Sequence, residues 1–151
     1  VVEPGIESGV IRKVCCPSPP DGFRLTLHFT SSKDESWPNE LRCIYESETW
    51  GQFSCGIREF NSNREAIESF EVYTNFCKRR AGSEDEILED SGNRIIIVWG
   101  KYSKYLADIE VAALHESYII RVMSRLPGDK EVEDIMSILN DLEEKALAII
   151  Q

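Results

Sequence analysis

The stretch that decides the fold is RIIIVWGKY, residues 94 to 102. Positions 95 to 99 read IIIVW, so an extended chain here carries apolar side chains on both of its faces. Continuous apolar runs of this length are typical of strands that are covered on both sides. We therefore predict a central strand, with a layer of structure above it and another below it.

The residues that follow this strand predict a long β-hairpin. YLADIEVAAL at 105 to 114 and SYIIRVMSRL at 117 to 126 are both rich in β-branched and aromatic residues. The connection at His115 and Glu116 is short enough for two antiparallel strands.

Four segments upstream predict further strands. FRLTLHF at 23 to 29 alternates apolar and polar residues, which is typical of a half-buried strand. LRCIYES at 41 to 47 and QFSCGIREF at 52 to 60 alternate in the same way and are separated by a short connection, so they predict a second hairpin. EILED at 86 to 90 is a candidate short strand.

Two amphipathic segments predict helices. The first begins with the capping pattern S-x-x-E at Ser62 and Glu65 and ends with the basic triplet at 78 to 80, where cations offset the helix dipole. The alternative interpretation of the triplet is a phosphate-binding patch. The second helix follows Pro127-Gly128, with Asp129 as its predicted N-cap, and runs to the end of the sequence.

The order of these elements predicts an α+β fold. We expect a mainly antiparallel β-sheet covered by two amphipathic helices in an α/β/α-type sandwich. A chain of 151 residues is the size of one ordinary domain. We predict a single domain over 1–151, with 1–21 as a lead-in segment and 22–150 as the folded core.

Composition excludes several classes of function. Hydrophobic residues make up 42% of the chain, which argues against disorder. Acidic residues outnumber basic ones 27 to 17, and the net charge of −10 disfavours binding to nucleic acid or to anionic lipid. No apolar run approaches the ~20 residues of a membrane helix, so we expect a soluble protein without membrane insertion. The first ten residues lack the basic and apolar regions of an export signal.

The five cysteines occur at 15, 16, 43, 55 and 77, an odd number without C-x-x-C spacing. For the vicinal pair Cys15-Cys16 we favour a structural role, with redox or metal chemistry and a bond to a distant cysteine as alternatives. Cys43 and Cys55 face each other in one register of the predicted hairpin. They are therefore the candidate disulfide in an oxidising compartment, and two small buried apolar side chains are the alternative.

Catalytic motifs are absent from the sequence, which contains no phosphate-binding glycine loop, nucleophile elbow or H-E-x-x-H. His28 alternates to the polar face of its strand, and His115 falls in a turn. We expect a noncatalytic protein with no catalytic residue, no metal and no cofactor. The alternative is a small enzyme or cation-binding protein that uses carboxylates of the acidic stretch at 84 to 90, such as Glu86 and Asp90, with His115.

Four aromatic residues in predicted loops or at strand ends are candidate partner-binding residues: Trp37, Trp50, Tyr102 and Tyr105. Exposed aromatic side chains of this kind anchor many protein interfaces. The alternative is that these side chains fold back onto the core.

A resemblance to a known family rests on four features. They are Gly22-Phe23 with the alternation that follows, Trp37 in the first loop, the hairpin at 105 to 124, and the closing helix that ends ALAII. Over residues 22 to 150 this pattern resembles the Mog1/PsbP-like group. Its members are mostly noncatalytic: extrinsic photosystem subunits, a Ran-binding nuclear import factor, bacterial lipoproteins and chaperones of secreted toxins. The resemblance implies a binding or assembly module.

These observations lead to one expected function. We expect a noncatalytic module that recognises another protein, and the acidic charge favours a partner with a basic surface because opposite fields speed association. An exported protein, periplasmic or surface-associated, is slightly favoured over a cytoplasmic one. A structural subunit of an oligomer is the third hypothesis, which a broad exposed apolar patch on the sheet would favour.

Overall fold

A computed structural model describes residues 15–30, 40–103 and 106–151 of the chain. These residues form a seven-stranded antiparallel sheet and two helices, which confirms the α+β class. The strand order is β1-β2-β3-β7-β6-β5-β4. The elements along the chain are β1 (Arg24–Thr30), β2 (Leu41–Ser47), β3 (Gly51–Glu59), α1 (Asn63–Arg80), β4 (Glu86–Asp90), β5 (Arg94–Trp99), β6 (Ala107–His115), β7 (Tyr118–Leu126) and α2 (Val132–Ile150).

The apolar strand β5 is buried on both faces, as its sequence predicts. Ile96 and Val98 belong to the core cluster that contains α2, and Ile95 and Ile97 belong to the cluster that contains α1. Its predicted central position is wrong, because β7 occupies the middle of the sheet and β5 lies next to the edge strand β4. A strand is buried on both faces when other residues pack above it and below it. Such packing does not require the strand to be central in the sheet.

The two helices contact overlapping sets of strands. Helix α2 contacts β3, β6 and β7, whereas α1 contacts β4, β6 and β7. On β2 and β3, the positions that alternate with the α2-side core residues include the polar residues Arg42, Ser54 and Arg58. This polar part of the sheet lies beside α1 and forms one side of the site described below.

Element ends follow local chemistry, with two corrections. The Ser62 hydroxyl accepts a hydrogen bond from the Glu65 backbone N–H at 3.1 Å, so the predicted cap of α1 is confirmed. The N-cap of α2 is Glu131 and not Asp129, because a turn closed by the Lys130 N–H on the Pro127 carbonyl includes Asp129. Strand β5 ends at Trp99, three residues before the predicted end, where the next residue, a glycine, has a φ of 68°.

The disulfide differs from the predicted one. Cys43 and Cys55 are partners in the β2–β3 register, as expected, but Cys43 bonds to Cys16 and Cys55 is a buried free thiol. The segment before β1 runs beside β2 and brings the Cys16 and Cys43 Cα atoms to 5.8 Å, a usual disulfide separation. In the loop-entropy model, closing this 27-residue separation stabilises the fold by ~3–4 kcal/mol.

The segment before β1 is attached to the rest of the structure at further points. The Tyr45 hydroxyl donates to the Pro17 carbonyl at 2.6 Å, and Lys145 of α2 donates to the Pro19 carbonyl at 3.0 Å. The rings of Phe23 and Phe53 meet edge to face, 5.0 Å apart. The vicinal cysteines therefore differ in role: Cys16 is structural, whereas Cys15 is an exposed free thiol.

Candidate functional site

A cleft of about 410 Å³ opens between α1 and the sheet, and we call it the α1 cleft. Apolar and aromatic side chains form much of its lining: Val72, Tyr73, Phe76 and Trp99. Three arginines, Arg58, Arg79 and Arg121, and Ser69 complete the described lining.

Helix α1 contributes an exposed apolar face to this cleft. Its buried residues, among them Phe70, Tyr73 and Cys77, recur at helical spacing and pack on the sheet. Val72 and Phe76 lie beside that stripe and remain 71% and 43% exposed. The Phe76 ring lies 6.1 Å from the ring of Trp99 at the end of β5. The exposed parts of Val72 and Phe76 are thus open to solvent at the cleft.

The floor of the cleft is held by the buried carboxylate of Glu110 on β6. This carboxylate accepts hydrogen bonds from the Tyr73 hydroxyl, from Trp99 Nε1 at 3.1 Å and from Arg121 Nε at 2.9 Å. Burial, and then the charge of Glu110, raise the pKa of Tyr73 well above its ordinary value, so its hydroxyl remains a donor. Three donors from three elements fix one carboxylate, and that carboxylate fixes their positions.

A second buried carboxylate, Glu40, extends this arrangement toward β2. Its oxygens lie 3.0 Å from Arg42 Nε and 3.7 Å from Arg121 Nη1. Burial raises the pKa of Glu40, and the charges of Arg121 and Arg42 oppose that rise. The carboxylate lies over Gly56 of β3, where a Cβ atom would be only 2.4 Å from Glu40 Cδ. We call Glu40, Arg42, Glu110 and Arg121 the buried charge network, in which two carboxylates balance two guanidinium groups.

Two of the arginines that line the cleft lie outside this balance. Among the described residues, neither Arg58 nor Arg79 has a carboxylate within ion-pair distance. Arg58 Cζ lies 4.4 Å from the centre of the Phe60 ring, and Arg79 Cζ lies 5.9 Å from that of Phe76. Burial lowers the pKa of Arg58, but a guanidinium keeps its charge at any physiological pH. Both cations are therefore held by aromatic faces.

The basic triplet at the end of α1 is divided between different contacts. Lys78 pairs with Asp90 at 3.4 Å, and Arg80 pairs with the fully buried Asp85 at 2.6 Å. Arg79 alone of the three lines the cleft. The triplet therefore does not present three cations to one ligand, as the phosphate-patch interpretation would need.

The predicted partner-binding aromatics lie elsewhere. Trp50 is partly buried against the α2-side core, with Lys130 Nζ 4.9 Å from its ring, and it borders a separate depression near the β2–β3 turn. Tyr102 is 55% exposed and follows β5. Trp37 and Tyr105 fall outside the described residues. Neither Trp50 nor Tyr102 lines the α1 cleft.

The residues of the enzyme or cation hypothesis are engaged separately. Glu86 and Asp90 are the first and last residues of β4, and each pairs with a different lysine. His115 ends β6, and His28 lies on β1, four strands away, or roughly 19 Å at the usual strand spacing. In the part of the chain that the structure describes, no three His, Cys, Asp or Glu side chains are arranged to hold a metal.

Sequence reasoning missed the residues that build the α1 cleft. The available signal was a charged residue inside an apolar strand: Glu110 within IEVAA and Arg121 within YIIRVM. Buried charges are rarely tolerated without a partner, so each of them implies the other. Glu40 and Arg58 carried no comparable signal, because polar residues at strand ends and on half-exposed strands are common.

The comparisons with known proteins give no indication of function. No protein-family model matches the chain, and a search of curated proteins finds no match either. Within the ranges that the structure describes, neither helix is long and apolar enough to cross a membrane. We therefore infer the function from the geometry of the α1 cleft.

Proposed function

We propose that this protein is a noncatalytic binding or assembly module that recognises another protein, and that the α1 cleft is its contact surface. The observation that carries the proposal is an exposed apolar face, Val72 and Phe76, beside a floor fixed by the buried charge network. Exposed apolar surface is unfavourable in water, and contiguous patches of it commonly mark interaction sites.

The rigidity of the floor favours binding over catalysis. Glu110 is buried and already accepts three hydrogen bonds, so its lone pairs are engaged in holding Tyr73, Trp99 and Arg121 in place. A catalytic base needs access to a substrate proton. A floor ordered before binding lowers the entropy cost of association, which is what a recognition surface requires.

The arrangement of the two core clusters supports the finer fold proposal. Alternate residues of β5 and β6 belong to one cluster with α2 and to another with α1, as in a sheet between two helices. We propose an α/β/α-type sandwich of the Mog1/PsbP-like kind. The mostly noncatalytic members of that group are consistent with a binding role, although a fold by itself carries no function.

The disulfide supports a proposal about the compartment of the protein, and the net charge supports one about its partner. A bond between Cys16 and Cys43 is stable in oxidising surroundings, which supports an exported protein, periplasmic or surface-associated. The net charge of −10 favours approach by a partner with a basic surface, since long-range fields set association rates.

The test is a selection of random dodecamer peptides on the purified, oxidised protein, followed by counter-selection on two variants. Phe76→Asp places a charge in the cleft, and Leu88→Asp places one on β4 at matched exposure, 43% against 44%. The proposal expects enriched peptides that are lost on Phe76→Asp and kept on Leu88→Asp. Failure to enrich any peptide, or equal retention on Phe76→Asp, would reject the cleft. Enriched peptides that fail to bind only Trp50→Ala or Tyr102→Ala would show that the contact surface lies in the loops.

A further inference from the structure

We infer that the α1 cleft takes an acidic, apolar segment of its partner, in which a carboxylate binds Arg58 and Arg79 while a large apolar side chain packs on Val72 and Phe76. The inference deepens the proposed function and rests on it, because it assumes that the cleft is the contact surface. It concerns only the segment that enters the cleft, and the basic surface proposed above belongs to the rest of the partner.

Charge complementarity is the first argument. Three arginines line the cleft, and no aspartate or glutamate is among its described lining residues. The charge of Arg121 is offset by Glu110 at 2.9 Å and by Glu40 at 3.7 Å. In the described chain, Arg58 and Arg79 make no ion pair with a carboxylate, although the charges of Glu40 and Glu65 act on Arg58 from a longer distance. In a protein with ten more acidic than basic residues, this local excess of positive charge is contrary to the overall composition.

The way in which the two arginines are held is the second argument. The guanidinium groups of Arg58 and Arg79 lie over aromatic rings, with Cζ at 4.4 and 5.9 Å from the ring centres. Such contacts orient a guanidinium and leave its N–H edges able to donate. Paired N–H donors match the two oxygens of a carboxylate, and charge-assisted bonds of this kind are among the stronger ones in proteins.

The size and lining of the cleft are the third argument. Its volume of about 410 Å³ is at the small end of ligand-binding pockets, which run from roughly 300 to 1,000 Å³. It therefore accommodates a few side chains of a partner and not a whole helix. The exposed Val72 and Phe76 side chains gain by burial under an apolar group, because removing apolar surface from water is favourable. A free acid without an apolar part would leave this gain unused.

The inference is tested with the dodecamers from the selection described above. Their sequences should be enriched in Asp or Glu next to a large apolar residue. A titration of one enriched dodecamer should show binding to Arg58→Gln and to Arg79→Gln that is weaker by roughly 10- to 100-fold, because each substitution removes a charge-assisted hydrogen bond. Arg64→Gln is the matched control, since Arg64 lies on α1, is 87% exposed and pairs with Glu68. The affinity of Arg64→Gln for the dodecamer should match that of the unsubstituted protein.

The outcomes separate the inference from the proposed function. Dodecamers that need Phe76 but are neutral or basic, or that bind Arg58→Gln and Arg79→Gln unchanged, overturn the inference and leave the cleft as the contact surface. Dodecamers that do not need Phe76 overturn both. Circular dichroism of each variant, compared with the unsubstituted protein, shows whether weaker binding follows from loss of the fold.

Discussion

Replacing Gly56 with alanine tests whether the floor of the cleft is built around a buried carboxylate. A Cβ atom on Gly56 would lie 2.4 Å from Glu40 Cδ and 2.6 Å from both carboxylate oxygens. Gly56 is not among the glycines with positive φ, so its backbone accepts any residue. The nearest obstacle to alanine is therefore the Glu40 side chain, which must move away from Arg42 and Arg121.

The expected cost follows from those two contacts. Breaking a buried ion pair costs ~3–5 kcal/mol when a charge is left buried without compensation, as the displaced Glu40 carboxylate would be. Alanine in place of glycine returns ~0.5–1 kcal/mol through the entropy of the unfolded chain. The free energy of unfolding of Gly56→Ala should therefore fall by ~2–4 kcal/mol. At roughly 2–4 °C for each kcal/mol in a chain of this size, the midpoint of thermal unfolding falls by roughly 5–15 °C.

Denaturant unfolding of a double-mutant cycle isolates this effect. In the Glu40→Ala background the Cβ atom meets no carboxylate, so adding Gly56→Ala should be neutral or stabilise by ~0.5–1 kcal/mol. Gly128→Ala is the matched control, because nothing lies within 4 Å of its Cβ position. An equal loss of stability from Gly56→Ala in both backgrounds, or no loss in either, would refute the packing of Glu40 on Gly56.

Three further predictions concern other parts of the fold. Alkylation of the oxidised protein should label Cys15 under native conditions and all three free thiols after denaturation, with the intact mass two hydrogens low and the bond mapped to Cys16 and Cys43; a reactive Cys43 would contradict this. Asp85→Asn should lower the free energy of unfolding by ~3 kcal/mol, because the fully buried carboxylate of Asp85 pairs with an arginine and accepts a backbone N–H at 2.8 Å; an unchanged denaturant midpoint would contradict it. Ser62→Ala should cost ~1 kcal/mol by removing the cap of α1, and a loss below a few tenths would show that the cap is dispensable.

Features set by short-range pattern could be predicted from the sequence. Alternation of apolar and polar residues predicts the bounds of β2, and the hairpin adopts the register, one of those open to the sequence, in which Cys43 and Cys55 are partners. The capping pattern gave the start of α1 at Asn63. Each of these follows from contacts between residues close in sequence or joined by one tight turn.

Features set by long-range topology could not be predicted. The bond between Cys16 and Cys43 depends on where a proline-rich segment runs, and alternation says nothing about that path. The position of β5 beside an edge depends on the pairing of β3 with β7, two strands that are far apart in the chain. Burial raises the pKa of the Cys77 thiol to about 12, so Cys77 is unreactive while the protein is folded.

The α1 cleft could be predicted only in part. Glu110 and Arg121 are charges within apolar strands, and that pattern marks a buried pair. Their meeting with Glu40 requires the β3–β7 and β6–β7 pairings together, because these bring β2 and β6 within reach of one arginine. The aromatic residues in loops predict a contact surface there. The exposed apolar face lies instead on α1, whose sequence pattern is that of an ordinary amphipathic helix.

The most direct test of the α1 cleft is a map of amide chemical shifts in isotope-labelled protein titrated with an enriched dodecamer. The account predicts that the largest shifts cluster on α1 around Val72 and Phe76, at the Trp99 end of β5 and at Arg58 of β3. It also predicts that the Trp99 indole N–H shifts, because that group borders the cleft and donates to Glu110. Shifts confined to the β2–β3 turn around Trp50, or to the residues around Tyr102, with α1 unchanged, would contradict it.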